Sequence, residues 1–327
     1  MRVLSTLLVG LVVWPTLPPA APKPVEITEW TVPWEESRPR DPYVDSQGRV
    51  WFVGQRGNYV AYLEPKTGEF KRYELDERTL PHNLIVSRAG VVWYAGNAAS
   101  HIGRLDPQTG RITKYPMPDP AVRDPHTLVF DRNGDIWFTA QGGNVIGKLA
   151  VASGEIRLVK ASVERARPYG IKLDSRRRPW VALFGTNRIA NVDPETMAIR
   201  DYALREEARP RRLEVTPDDA VWYVDYAGGR LGRLDPASGQ TNEWITPSGE
   251  RSRPYGTASD DQGRLWFVET GVQPNKFVGF DPKTEEFFSV TEVKSGGGTI
   301  RHMFYHREAQ EIWFGTDANT IGRAKLP

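Results

Sequence analysis

Gly48-Arg49-Val50-Trp51-Phe52-Val53 is the first of seven copies of one short phrase. The others are Val91-Val92-Trp93-Tyr94-Ala95, Asp135-Ile136-Trp137-Phe138-Thr139, Pro179-Trp180-Val181-Ala182, Ala220-Val221-Trp222-Tyr223-Val224, Arg264-Leu265-Trp266-Phe267-Val268 and Glu311-Ile312-Trp313-Phe314-Gly315. Successive tryptophans stand 42, 44, 43, 42, 44 and 47 residues apart, a period near 43. Each copy is short, aromatic and β-branched and is bounded by turn residues, which is the composition of a strand. A helical repeat is disfavoured, because Pro and Gly recur at fixed turn positions and no apolar period of 3.6 persists. Each key tryptophan reads first as core filling between units.

Further strands follow in every repeat. A second phrase such as Val145-Ile146-Gly147-Lys148-Leu149 leads to a turn such as Asp106-Pro107-Gln108-Thr109-Gly110, with proline where φ is near −65° and glycine where φ turns positive. An outer strand such as Thr241-Asn242-Glu243-Trp244-Ile245 comes next, and a segment such as Pro254-Tyr255-Gly256-Thr257-Ala258 precedes each key tryptophan. Four strands repeated seven times predict an all-β, seven-bladed β-propeller. The last repeat ends at Pro327 without an outer strand, and Val25 to Pro33 has the outer-strand pattern. The N-terminal strand is therefore expected to pair with the C-terminal blade and close the ring, leaving no free edge.

Composition narrows the class. The chain has 327 residues and no cysteine, which removes disulfide scaffolds, thiolate metal sites and cysteine nucleophiles. Lys plus Arg number 43 against 41 Asp plus Glu, a formal charge of +2 that gives no field for nucleic-acid binding. Arg2, the apolar run Leu7 to Trp14 and the small and proline residues to Pro22 have the order of a signal peptide. The expectation is a leader over residues 1–22 and a single propeller domain over 23–327. The protein is then exported, periplasmic or extracellular, monomeric and without a stable membrane span once the signal is removed.

In a propeller the first strand of each blade lines the central channel. Eleven residues before each key tryptophan stand Arg40, His82, His126, Tyr169, Arg211, Tyr255 and His302. Three or four residues after it, acids occur only in the last three blades, as Asp225, Glu269 and Asp317. Such rings meet at one mouth, and histidine beside carboxylate suits proton transfer near neutral pH. Arg38, Arg167, Arg209 and Arg253 precede prolines in the same loops, so the mouth is expected to be positive and to favour an anionic ligand. His101 and His306 fall outside the ring.

Trp-Phe-(Thr/Val), then Asn-x-Ile-Gly-(Arg/Lys)-Leu, then a Tyr-Pro or Trp-x-x-Pro outer strand resembles the streptogramin B lyases, also called virginiamycin B lyases, over essentially all of the mature chain. The resemblance implies a carbon–oxygen lyase that opens a cyclic depsipeptide by Mg²⁺-assisted elimination at its ester, and with it antibiotic resistance. It implies catalytic roles for His302, Asp317 and Glu269, with Asp317 and Glu269 holding Mg²⁺, and a substrate contact from Tyr255; the ring itself, as a convergent polar cluster, adds Arg211, Tyr169, His126, His82 and Asp225 as expected substrate contacts. Here Arg301-His302-Met303 stands where that family has Pro-His-Gly, Asp317 where it has glutamate, and Tyr255 where it has a second histidine. Two alternatives are a non-catalytic exported propeller that binds a ligand or partner, and a metal-dependent lactone hydrolase of the gluconolactonase type.

Overall fold

The computed structural model describes residues 22–327, so the expected leader lies outside the described residues apart from Pro22. The described residues form seven antiparallel four-stranded sheets in a ring, with one short 3-10 turn at Arg307–Ala309. Blades 1 to 6 each run in sequence from an inner strand to an outer one. Their inner strands are Pro39–Val44, Leu84–Val86, Pro125–Phe130, Pro168–Leu173, Pro210–Val215 and Pro254–Ser259. Blade 7 is built from Met303–His306, Glu311–Gly315 and Thr320–Lys325, with Glu26–Thr31 as its outer strand. No helix among the described residues is long and apolar enough to cross a membrane.

Closure of the ring follows the expected pairing. Glu26–Thr31 pairs with Thr320–Lys325 over six residues. Trp30 stacks on Trp313 at 5.4 Å between ring centroids, and the Arg323 guanidinium lies over Trp30. The Glu29 carboxylate accepts hydrogen bonds from Ser295 N–H at 2.9 Å and from the Thr320 hydroxyl at 2.8 Å, tying the strand to blades 6 and 7. Trp34, just beyond, packs edge-on against Tyr59 and Phe70 of blade 1.

The seven key tryptophans are buried in the layers between blades. Several also hydrogen-bond. In blades 1, 4 and 6 the indole N–H donates to an aspartate six residues upstream: Trp51 to Asp45 at 2.7 Å, Trp180 to Asp174 at 3.0 Å and Trp266 to Asp260 at 2.9 Å. Each of these carboxylates also accepts from Arg49, Arg178 or Arg264 and from two backbone N–H groups of its turn. One carboxylate thus fixes the turn, the arginine and the ring that fills the core, and leaves no buried indole N–H unpaired there.

Inner strands carry a register shift where they enter the ring. It falls between Arg40 and Tyr43, Pro125 and Leu128, Pro168 and Ile171, Pro210 and Arg212, and Pro254 and Thr257. A bulge inserts an unpaired residue and redirects side chains. It falls on ring positions His126, Tyr169, Arg211 and Tyr255.

Removing the closing aromatic contact tests the ring. Trp30→Ala should lower unfolding free energy by about 2–3 kcal/mol in denaturant titration and speed proteolysis of the N-terminal strand. Trp244→Ala, on an outer strand that closes nothing, should leave that strand protected. Equal protection of the N-terminal strand in both variants would contradict the closure role.

Candidate functional site

The bulged inner strands bring the ring residues into contact at one end of the channel. His82 and His126 lie ring on ring at 3.5 Å, and His126 meets Tyr169 at 4.0 Å. The Tyr169 and Tyr255 hydroxyls hydrogen-bond to each other across blade 5. Arg211, from that intervening blade, sets its guanidinium 3.8 Å from the Tyr255 ring centroid, 4.4 Å from Tyr226, 4.6 Å from Phe184 and 5.2 Å from Tyr169. It has no carboxylate partner among the described residues. Arg40 donates to the Gln55 side chain at 2.8 Å. The expected substrate contacts Tyr255, Arg211, Tyr169, His126 and His82 therefore stand together.

Backbone strain gathers at the same end. Arg38, Leu80, Asp124, Arg167 and Arg253 all have φ between 43° and 66°, and each immediately precedes a proline. Left-handed backbone is costly for a side chain with Cβ, so the repeat holds this conformation against local preference at the rim of the mouth.

One layer deeper is a polar network that alternation along the strands does not reveal. Asp41, next to Arg40, is buried and accepts from Asn83 Nδ2 at 2.8 Å and from Arg212 Nη2 at 3.4 Å. Arg212 also donates to the Thr127 hydroxyl and to the Arg301 carbonyl, both at 3.0 Å. Asn83 Oδ1 accepts Leu128 N–H at 2.8 Å. Further round the ring, Lys172 pairs with Glu214 at 3.0 Å, and Glu214 accepts from Thr257 at 3.1 Å. Gly170 occupies the Asp41 position in blade 4, where a Cβ would come within 3.0 Å of Arg211 and Arg212 backbone atoms.

Charge states follow from this burial. Desolvation pushes the His302 imidazole down to about 3, with Arg212, Lys172 and Arg40 adding to the shift and only the Asp41 carboxylate opposing it. His82 and His126 are held well below their usual range by burial, then by Arg40 and Arg212. Burial works to raise the Asp41 carboxyl, but His302, Arg40, Arg212 and the Asn83 bond together hold it below the usual carboxylate range. Tyr169 is lowered, since Arg211, Arg212 and Arg40 outweigh its desolvation. Tyr255 is raised by burial and by the neighbouring phenol. At neutral pH the three ring histidines are uncharged.

The expected acids are placed otherwise. Asp317 is gripped by Arg301, whose Nη2 donates at 2.6 Å, and by Arg38 at 3.4 Å, which together keep its carboxyl low despite burial. Glu269 is fully buried and accepts Ser248 N–H at 2.8 Å and the Ser248 hydroxyl at 2.5 Å. Asp225 is fully buried as well, accepting N–H groups of Arg209, Ala227 and Gly228 and the Arg205 guanidinium. Glu269 and Asp225 thus secure their own loops and do not join the aromatic ring. Among the described residues no three His, Asp or Glu side chains stand together as a metal-binding group. With both of its expected carboxylates engaged by protein donors, Mg²⁺ does not fit the residues as placed, and no step below is routed through it.

The ring was legible as a repeat position. Asp41 was missed because the count took one channel residue per inner strand, whereas the bulge turns two successive residues inward. Arg212, which follows the ring position Arg211, is hidden from that count for the same reason.

The family model described as the virginiamycin B lyase family matches residues 23–184 and 155–326. A Staphylococcus aureus virginiamycin B lyase is similar in structure, with a TM-score of 0.83 at 25% identity over 92% of this chain and 99% of that one. A catalytically inactive variant of the Staphylococcus aureus enzyme, solved with quinupristin, matches with a TM-score of 0.82 at 26% identity over 92% and 99% of the two chains. Kuenenia stuttgartiensis hydrazine synthase, at 13% identity, 90% and 97% coverage and a TM-score of 0.74, shares the fold alone. No protein of curated function matches the chain in sequence.

The histidine environment makes a stability prediction. Unfolded histidine titrates near 6.5, so below that pH the unfolded chain binds protons that the folded ring excludes. Stability should therefore fall as pH drops from about 6.5 toward 3, by up to about 1.4 kcal/mol per pH unit for each such histidine. Urea midpoints measured from pH 7 to 4 should decline steeply, and less steeply in His126→Asn, where His82 and His302 remain. A midpoint constant between pH 7 and 5 would contradict the buried, neutral ring.

Proposed function

The chain belongs to the virginiamycin B lyase family, and on that premise we propose that it opens an ester-containing cyclic peptide by elimination at this mouth. The observation that carries the reading is the convergence of five ring residues, His82, His126, Tyr169, Arg211 and Tyr255, with His302 near enough to the Asp41 carboxylate to feel its charge. The substrate class is supported by the quinupristin bound in the Staphylococcus aureus relative.

The chemistry assigns each group a task. The His302 imidazole takes the proton from Cα of the residue whose side-chain oxygen carries the ester. The Cα–H pair becomes the new Cα=Cβ bond, the Cβ–O bond breaks and a carboxylate departs, leaving a linear peptide. A base with a pKa near 3 is unprotonated across the working range but intrinsically weak. Asp41 supplies the compensating charge, because it alone among the named neighbours favours the imidazolium. Arg211 is cationic, lies among aromatic faces and has no carboxylate partner among the described residues, so it suits the departing carboxylate. The Tyr169 and Tyr255 hydroxyls offer donors to the ester.

Export belongs to the same proposal and rests on the order of residues 1–22; mass spectrometry of the secreted chain should find an N-terminus between Ala21 and Lys23. A second reading, an exported propeller that binds without turnover, draws support from the engagement of Asp317 by two arginines and of Glu269 by Ser248.

Incubation with a streptogramin B should yield a linear product bearing one new carboxylate and one new double bond. His302→Ala should lower kcat by about 10²-fold or more with KM within about threefold of wild type, and kcat/KM should show no ionisation between pH 5 and 8. Binding of the intact cyclic peptide without any linear product would favour the second reading. Unchanged kcat in His302→Ala would remove the assigned base.

A further inference from the structure

The inner strands end at the opposite face of the ring, and a cavity of about 1160 Å³ opens there. Its wall carries the last residues of four inner strands, Val86, Phe130, Leu173 and Val215, together with Tyr43 and Tyr305. Tyr43 packs against Phe304 with ring centroids 4.3 Å apart, so this part of the wall is firm and apolar. This volume exceeds that of an ordinary small-molecule site and lies remote from the histidine and tyrosine mouth.

The charges around the cavity are unevenly matched. Six carboxylates line it, and all are engaged. Asp131 and Asp135 pair with Lys148 at 3.2 Å, Asp174 and Asp260 bind their arginine and tryptophan, Asp219 accepts Ser175 N–H at 2.8 Å, and Asp261 pairs with Arg307 at 2.9 Å. Three exposed arginines, Arg88, Arg132 and Arg177, come from the corresponding turns of blades 2, 3 and 4. None has a carboxylate partner among the described residues; Arg177 donates only to the Asn133 side chain, at 3.3 Å. Arg88 lies close enough to act on the Tyr43 hydroxyl, which puts a free guanidinium at the edge of the apolar wall.

We propose that this second face binds an acidic peptide segment, with apolar side chains in the cavity and carboxylates on the arginine crescent of blades 2 to 4. Arginine beside aromatic and aliphatic surface is the composition of energetically dominant protein contacts. Charge complementarity selects an acidic partner, because the acids of this face are already spent on turns and lysine. The apolar wall selects a peptide over a purely polar polyanion, which would leave it uncovered. The proposal does not depend on turnover at the other mouth, and the two stand or fall separately.

The test is fluorescence anisotropy with the purified mature chain and a labelled hexapeptide alternating Glu and Leu. Binding should weaken at least tenfold in the triple variant Arg88→Glu, Arg132→Glu, Arg177→Glu, with streptogramin turnover and melting temperature unchanged. Two measurements on the unaltered protein keep the test independent of that variant's folding. Raising salt from about 50 to 300 mM should weaken binding severalfold, and replacing Leu by Ser in the peptide should weaken it at least fivefold. Equal binding of a hexapeptide alternating Lys and Leu, no loss of affinity on Leu-to-Ser replacement, or tighter binding of a sulfated hexasaccharide than of the Glu–Leu peptide would each overturn the proposal.

Discussion

The contact between Asp41 and Arg212 is the constraint on which the rest of the channel depends. Arg212 comes from blade 5 and reaches Asp41 of blade 1, Thr127 of blade 3 and the Arg301 carbonyl at the entry to blade 7, while Asn83 of blade 2 binds the same aspartate. Strand pairing stays within each blade, and packing joins mainly neighbouring blades; the Tyr169–Tyr255 bond across blade 5 is another contact that skips one. This buried pair therefore links parts of the ring that strand pairing cannot, and it does so beneath the residues assigned to chemistry. Its cost is desolvation, which good geometry and neutral partners must offset. The hydrogen bonds from Asn83 and to Thr127 offset part of it, the Arg40 guanidinium 3.6 Å from Asp41 Oδ1 adds a second cation, and the Asp41 carboxylate is held charged.

The two ends of the channel are built from the same repeat yet differ in kind. Where inner strands begin, bulges and prolines preceded by left-handed backbone crowd histidine, tyrosine and arginine into contact. Where they end, short turns capped by aspartate leave an open cavity with arginines at its edge. The first arrangement excludes water and depresses histidine basicity, conditions under which placed charges act strongly. The second leaves charge exposed and apolar wall uncovered, conditions suited to association. Repetition supplies the frame, and single-residue departures from it, such as Asp41 and Arg212 at a position that is otherwise Asn83, Thr127, Gly170, Gly256 and Met303, supply the asymmetry.

Much of this could be read without coordinates. The tryptophan spacing was enough for the blades, and the missing outer strand of the last repeat was enough for closure by Glu26–Thr31. Counting from each tryptophan also found the ring, because repeat position maps to channel height. The acids resisted such reading. Asp225 and Glu269 stand beside Asp317 in a count, but the short loops there expose several N–H groups in a confined space, and the first two carboxylates turn inward to satisfy them. Asp317 turns to two arginines instead. Asp41 escaped notice for the converse reason: a bulge adds a residue that no period predicts.

The most direct test is a double-mutant cycle on unfolding free energy with Asp41→Asn, Arg212→Met and the two combined. A load-sharing pair across the channel predicts that the double variant is more stable than the sum of single losses implies, with a coupling of about 2 kcal/mol or more. Additivity within about 0.5 kcal/mol would contradict the cross-channel link.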